Sequence, residues 1–373
     1  MQKTGILGGG QLGRMLLQQA ANYPVETYIL ENDPECPAAH LCHHFIRGDI
    51  RSYDDVYNFG KNLDAITIEI ESVNVEALEK LESEGVKVYP QPAILRLIKN
   101  KILQKEFYKN HDIPTADYIV VQNKNDLHQE AAFLPAVNKI AEGGYDGRGV
   151  AILKSTGDIN SGFDAPGILE KLITIHKEVS VIIAIGDNKQ TAFYPPVEMV
   201  FDPVLNLLDY QVCPADVPQN TLWQIEAIAM KVAKALRSPG LFAVEMLVDP
   251  NQVVYVNETA PRVHNSGHHT IEANFCSQYD MLWRILLGYP LGNTAIIKYS
   301  ALVNIIGEKD YSGDALFEGL TETLGMPNTY IHLYGKKQTR PGRKMGHVTL
   351  MGDYPRELIR NALVVKSQLR VIS

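Results

Sequence analysis

The apolar positions of this chain switch between two spacings, and the switches divide it into elements. Residues 3–7 are a short apolar strand, followed by Gly8-Gly9-Gly10-Gln11-Leu12-Gly13 and a helix with Leu12, Met15, Leu16 and Ala20 on one face. Residues 25–30 read as a second strand running into Glu31, 64–69 as a third ending at Glu69 and Glu71, and 87–89 as a fourth. Together they predict a small α/β domain. Pro90-Gln91-Pro92 closes it, and one long polar helix is expected over 93–109. Lys99, Lys101 and Lys105 lie on that helix at a spacing that by itself means a solvated face. Strands are expected at 118–121, 136–140, 168–173 and 178–185, and helices at 221–237 and 272–287. Beyond Gly288-Tyr289-Pro290-Leu291-Gly292 a third region holds short strands.

Between those two helices, residues 241–248 and 252–258 are rich in β-branched and aromatic side chains, with Asp249-Pro250-Asn251 as turn chemistry. They predict an antiparallel hairpin. Each strand carries one carboxylate that its apolar neighbours do not explain, Glu245 and Glu258. With Val248 opposite Val253, Glu245 faces Val256 and Glu258 is its diagonal neighbour on the same face. That separation is roughly 7–8 Å, which a hydrated cation with phosphate oxygens can fill. A slip of one residue would send the two carboxylates to opposite faces. Directly after Glu258 comes the polar loop Thr-Ala-Pro-Arg-Val-His-Asn-Ser-Gly-His at 259–268.

Composition narrows the picture. The 373 residues leave room for two or three domains, and 45% hydrophobic with 21% charged residues is ordinary for a globular protein. A formal charge of −8 argues against nonspecific binding to nucleic acid or an anionic membrane. No apolar run approaches the roughly 20 residues of a bilayer span, and the first residues lack a signal-peptide core. A cytoplasmic enzyme is expected. Cys36, His40, Cys42, His43 and His44 cluster, but without the spacing of a common zinc site, so reduced thiols are the simpler expectation.

Gly8-x-Gly10-x-x-Gly13 between two strands, with an acidic residue ending the second, also fits a dinucleotide fingerprint. A nicotinamide-dependent oxidoreductase is therefore a rival, although it leaves the glutamate pair unexplained. Glu142-Gly143-Gly144-Tyr145-Asp146-Gly147-Arg148-Gly149 follows Lys139 and lacks the Gly-Lys-Ser/Thr ending of a Walker loop. It reads as a lid whose amides and Arg148 close over phosphates. Five cations lie within 336–344 around a Pro-Gly turn, a candidate anchor for a substrate phosphate.

Laid side by side, these parts resemble the ATP-grasp enzymes and, within them, the N5-carboxyaminoimidazole ribonucleotide synthetase family. The motifs are Gly-Gly-Gly-Gln-Leu-Gly-Arg-Met at 8–15, Gly-Gly-Tyr-Asp-Gly-Arg-Gly at 143–149, Asn-Glu-Thr-Ala-Pro-Arg-Val-His-Asn-Ser-Gly-His at 257–268 and Arg-Pro-Gly-Arg-Lys-Met-Gly-His at 340–347. The third separates this chain from formate-dependent glycinamide ribonucleotide transformylase, the alternative ligase, which has Ser-Pro-Arg-Pro-His-Asp-Thr-Gly there. The resemblance implies an α/β fold, α+β in its nucleotide domain. A Rossmann-like domain would span 1–92, an ATP-grasp domain 93–292 with a glycine-lid subdomain over about 114–168, and a small β-rich domain 293–373.

It implies a reaction of ATP, bicarbonate and 5-aminoimidazole ribonucleotide through carboxyphosphate, with magnesium on Glu245 and Glu258. Lys101 and Lys139 would contact phosphates under the lid Gly143, Gly144, Tyr145, Asp146, Gly147, Arg148 and Gly149. Glu170, Lys171, Leu172 and Ile173 would line the adenine pocket, Glu178 would bind the ribose, and Asn257 would lie beside the phosphates. Arg262, His264, Asn265, Ser266 and Lys344 would orient bicarbonate. Gln11, Glu71, Tyr145, Arg148, Arg340 and Arg343 would hold the ribonucleotide. A homodimer and a transient contact with the downstream mutase come by resemblance alone.

Overall fold

Five parallel strands open the chain, in the sheet order His44–Arg47, Val25–Glu31, Gln2–Leu7, Ala65–Ile68, Lys87–Val88. The computed structural model describes residues 1–144, 149–201 and 208–373, so Tyr145, Asp146, Gly147 and Arg148 of the expected lid lie outside the described residues. The strand order reverses at Gln2–Leu7, and a crevice therefore opens at the C-terminal ends of Gln2–Leu7 and Ala65–Ile68. Gly8 (φ +101°) turns the chain there into the helix Gln11–Ala20, a backbone angle that a side chain would strain. The edge strand His44–Arg47 is not foreseen by the hydrophobic pattern. Only Phe45 and Ile46 in it are apolar, and both are half-exposed.

The single helix expected at 93–109 is two, Pro92–Lys99 and Lys101–Asn110. Asn100 is extended (φ −109°, ψ 115°), and its side chain accepts from the Ile102 and Leu103 amides. A good N-cap residue restarts the helix in a new direction. The solvated lysine face is thereby overturned: Lys99 donates to the Val73 carbonyl, Lys101 turns inward, and Lys105 is 3% exposed. The helix expected at 272–287 also divides, into Thr270–Ala273 and Gln278–Leu287, the second capped by Ser277.

Strands Tyr118–Val121, Gly167–Lys171, Ala136–Ile140 and Val150–Leu153 form a four-stranded antiparallel sheet in that order. Leu172 and Ile173 fall just beyond its second strand. The largest sheet runs Val254–Ala260, Gly240–Val248, Lys177–Ile185, Val197–Phe201, Leu208–Cys213, Tyr299–Ile306, Lys344–Gly352, Thr329–Leu333, with Thr191–Phe193 attached to Lys177–Ile185. Leu208–Cys213 pairs directly with Tyr299–Ile306. The boundary expected at 292 is thus crossed by one continuous sheet, because the edge left by Leu208–Cys213 needs a partner.

Both faces of this sheet are packed. Ile225, Ile228 and Val232 of the helix Gln219–Leu236 share a core with Phe242, Val244 and Met246. Leu241 and Ala243, on the opposite face, share another with Met281, Leu282 and Trp283. Each such side chain contributes roughly 1.5–3 kcal/mol by leaving water. Alternation along Gly240–Val248 puts Glu245 on the second face, where it and Glu258 are only half-buried. Among the described residues no helix is long and apolar enough to cross a membrane.

Candidate active site

The hairpin meets its expectation by a different route. Val248 faces Val254, not Val253, the one-residue slip that should have parted the carboxylates. A β-bulge between Glu245 and Met246 absorbs it: Met246 faces Val256 and Glu245 faces Glu258, with Asn257 as the extra residue. The two carboxylates are therefore direct cross-strand neighbours rather than diagonal ones. Like charges so placed repel. Burial and the charges of Glu258 and Glu178 push the Glu245 carboxyl well above the usual range. Glu258 goes the other way, held down by the charge and hydrogen bond of Lys101.

Lys101 and Lys139 act on Glu258 of this pair, and a third lysine, Lys105, lies with Lys139 on Glu170. Lys101 Nζ lies 2.5 Å from Glu258 Oε2; burial would discharge it, but Glu258, Glu245 and Glu170 together hold its pKa above the usual value. Its backbone is fixed by donation to the Ala141 carbonyl at 2.8 Å. Lys139 Nζ is 2.9 Å from Asn257 Oδ1 and 2.6 Å from Glu170 Oε2. Lys105 binds the other oxygen of Glu170 and the Thr115 hydroxyl. Glu170 stays ionised despite its burial because Lys139 and Lys105 flank it. Glu178, on Lys177–Ile185, is pushed up to about 7 by burial, with Lys139 opposing. The Lys171 ammonium donates to the Phe133 carbonyl at 3.0 Å and sits over the Phe133 ring, so this residue turns its side chain away from the pocket. Gly143 and Gly149, at φ +81° and +78°, bound the undescribed loop.

The polar loop after Glu258 closes the opposite side. His264 Nε2 is 3.3 Å from Glu245 Oε1, and its Nδ1 is 2.9 Å from Ser266 Oγ. Ser266 Oγ in turn meets Ser180 Oγ at 2.8 Å, on the strand beside Glu245. Gln278 clamps the His264 backbone twice, accepting from its N–H and donating to its carbonyl, each at 2.8 Å. Gln211 donates to the Ser266 carbonyl. Arg262 Nε reaches Glu71 Oε1 at 2.8 Å. The buried Oδ1 of Asn265 has no hydrogen-bond partner among the described residues, so the loop holds an acceptor that its own fold leaves unused. Behind it His268 is buried, bonded to the Tyr279 hydroxyl at 2.8 Å, with its ring 4.9 Å from that of His347. Burial holds both imidazoles neutral.

At the glycine turn the dinucleotide expectation fails. The Glu69 carboxylate accepts from the Gly10 amide and, at 2.5 Å, from the Gly13 amide, while Glu31 accepts from Gly9 at 3.1 Å. The amides that would hold a pyrophosphate are already taken by the chain's own carboxylates. A Cβ on Gly10 would stand 2.7 Å from Glu69 Oε1, so the glycine is needed for this internal contact. The C-terminal cations converge above it. Burial, then Arg343, lowers the Lys336 ammonium to about 8, with Lys344 and Arg340 also opposing and Glu69 supporting its charge. Arg343 donates to the Gln338 carbonyl and Arg340 is exposed, whereas Lys337 leaves the group to pair with Glu35. Lys344 starts the strand Lys344–Gly352, close enough for its charge to act on Glu245. Gln11 begins its helix half-buried.

The structure thus brings together Lys101, Lys139, Glu170, Glu178, Glu245, Asn257, Glu258, Arg262, His264, Asn265 and Ser266, with Glu71 joined through Arg262 and Lys344 within reach of Glu245. Sequence reasoning missed Lys105, Ser180, Gln211 and Gln278. Only Lys105 left a trace, one turn beyond Lys101. The cysteine–histidine cluster disperses instead: His44 stacks on Tyr28 and pairs with Glu26, His43 meets Thr27, His40 meets Arg14, and Cys36 lies under Gly9.

Two carboxylates across a bulged hairpin, with lysines from a helix and a strand beside them and a glycine-rich run at 143–149, define an ATP-grasp site. Residues 1–99 match the ribonucleotide synthetase preATP-grasp domain, 106–279 the ATP-grasp domain and 300–361 the phosphoribosylaminoimidazole carboxylase C-terminal domain. N5-carboxyaminoimidazole ribonucleotide synthase of Staphylococcus epidermidis is 31% identical over 361 residues, covering 94% of this chain and 92% of that one. The chloroplastic phosphoribosylaminoimidazole carboxylase of Vigna aconitifolia is 32% identical over 363 residues; 94% of this chain is covered, but only 64% of that longer protein. The crystal structure of N5-carboxyaminoimidazole ribonucleotide synthetase from Thermotoga maritima superposes with a TM-score of 0.93 at 34% identity, over 100% of both chains. The chain belongs to the N5-carboxyaminoimidazole ribonucleotide synthase family.

Proposed function

We propose a division of labour for the site of this ATP-dependent carbon–nitrogen ligase, which carboxylates 5-aminoimidazole ribonucleotide in purine biosynthesis. Bicarbonate is a poor electrophile, and phosphoryl transfer from ATP activates it as carboxyphosphate. Positioning and charge neutralisation carry most of such a step. Lys101 and Lys139 take the phosphates beneath the 143–149 loop. Glu170, Leu172, Ile173 and the backbone of Lys171 line the adenine pocket, and Glu178 takes the ribose. Arg262, His264, Asn265, Ser266 and Lys344 hold bicarbonate, a small anion needing several donors in a site with little water. Gln11, Glu71, Tyr145, Arg148, Arg340 and Arg343 hold the ribonucleotide, the arginines on its phosphate.

Among the described residues no group of three or more acidic, histidine or cysteine side chains forms a closed metal cage. Two facing carboxylates with Asn257 beside them suit instead a hard dication that completes its shell with phosphate oxygens and water. Magnesium held by Glu245 and Glu258 would supply neutralisation of the polyphosphate charge. Domains of 1–92, 93–292 and 293–373, the last two sharing one sheet, a homodimer, action in the cytoplasm and a passing contact with the next mutase complete the proposal.

The observation that carries the reading is the cross-strand Glu245–Glu258 pair with His264 on one carboxylate and Lys101 on the other. It supports a reading in which a cation site lies between an anion loop and a phosphate site. Incubation with ATP, magnesium, bicarbonate and the ribonucleotide tests it by ADP release. Release that depends on both bicarbonate and ribonucleotide is expected; release indifferent to the ribonucleotide would refute it.

A further inference from the structure

Lys105 has no place in the scheme above, yet it is one of the most buried charges in the molecule. Its side chain is 3% exposed and that of Glu170 is 6%. The ammonium touches Glu170 Oε1 and Thr115 Oγ1, and the Thr115 hydroxyl is itself fixed by the Val256 carbonyl at 2.8 Å. The other oxygen of Glu170 holds Lys139 at 2.6 Å, and Lys139 also reaches Asn257 at 2.9 Å, beside Glu258. One buried carboxylate therefore serves two ammonium groups. Burying an ion is costly unless it is paired, and a cluster with two cations to one anion is left with positive charge to spare. Lys139 is the member that can turn outward, because its second contact, Asn257, already lies on the bulge next to the carboxylate pair.

We propose that Lys105 is a positioning residue for nucleotide binding: it is the standing counter-ion of Glu170, and its presence frees Lys139 to move onto a nucleotide phosphate. Without Lys105, Glu170 would have Lys139 as its sole buried cation, and a phosphate would have to compete with that carboxylate for it. The helix break at Asn100 gives the arrangement its geometry, since Lys101 and Lys105 lie one turn apart on the restarted helix. Lys101 then serves the Glu258 side and Lys105 the Glu170 side.

This inference rests on the nucleotide reading of the site and not on the carboxylation chemistry, so its test measures binding alone. Magnesium-ADP affinity is measured by calorimetry, with thermal unfolding as a check on folding. Lys105→Met is expected to weaken ADP binding about tenfold, and Lys105→Arg, which keeps the charge, to stay within about threefold of wild type. The discriminating ligand is adenosine, which fills the same pocket without a phosphate: Lys105→Met should bind it within about threefold of wild type, because Lys139 is not asked to leave Glu170. Lys105→Gln, which keeps a hydrogen-bond donor toward Glu170 but no charge, is expected to fold even if Lys105→Met does not, and to show the same split between ADP and adenosine. A merely structural lysine would weaken both ligands alike. A folded variant of wild-type ADP affinity, or one that loses adenosine as much as ADP, would overturn the proposal.

Discussion

Glu69 is a buried carboxylate and the Glu245–Glu258 pair a half-buried one, and they have opposite consequences. Glu69 lies against the amides of Gly10 and Gly13, with Glu31 on Gly9. Burial raises its pKa while those amides pull it down. Its needs are met inside the fold, and so the glycine turn has nothing left for a ligand. Glu245 faces another carboxylate instead of amides, and its charge is resisted by burial and by that neighbour. A buried anion whose environment supplies donors is architecture. One whose neighbour is a second anion leans on the nearest cation, here Lys101 on Glu258.

The sharpest way to break this contrast is Glu258→Gln. Turnover should fall by about a thousandfold or more with the fold intact, since the proposed cation site loses one of its two carboxylates. Steady-state ADP release with circular dichroism measures both, and near-normal turnover would remove the hairpin from the chemistry. Glu69→Ala should act the other way round, costing about 3 kcal/mol of stability by stranding the turn's amides. Chemical denaturation checks it, and an unchanged midpoint would mean the turn does not need its internal anion.

The pH response sharpens the difference. A carboxyl whose folded pKa is raised binds more protons in the native state, so its contribution falls as pH climbs from the ordinary carboxylate value through the folded one. Glu245 and Glu178 both have this sign. The buried neutral histidines His268 and His347 oppose it only below their ordinary 6.5. Lys105 and Lys336, each lowered to about 8 chiefly by burial, oppose it from about pH 8 upward. Between about pH 7 and pH 8 the nucleotide-free wild type should therefore lose thermal stability relative to Glu245→Gln. A variant with the wild-type slope would contradict the assignment. The smallest effect belongs to Glu31→Gln, which keeps an acceptor for the amides of Gly9 at 3.1 Å and Asn32 at 2.8 Å. It should cost no more than about 1 kcal/mol, in a denaturation midpoint clearly less shifted than that of Glu69→Ala.

Local spacing carried much of this in advance. The glycine turn, the strands at its sides and the two acidic residues of the hairpin are read directly from runs of apolar and turn residues. What stayed hidden depends on partners far along the chain. The hairpin reading was right about the shared face but wrong about the register, because a slip at the turn and a bulge at Asn257 cancel. Asn100 breaks a helix that the polar pattern continues, since a cap residue inside a helical run looks like any other polar position. Lys105 seemed a surface lysine because its carboxylate, Glu170, is 65 positions away. Gln278 and Gln211 fix the anion loop from other elements, and glutamine in a helix or strand gives no warning of that task. Residues 145–148 fall outside the described chain, so the lid expectation is carried only by its flanking glycines.

The pairing of Leu208–Cys213 with Tyr299–Ile306 has a practical corollary. Cutting the chain after residue 292 would not release a tidy nucleotide-binding fragment. It would bare a raw strand border able to zip onto a second molecule, and it would strip away Lys344 and His347 in the same stroke. The last eighty or so residues, which supply three of the nine strands, are better regarded as the far border of one woven panel than as a detachable tail.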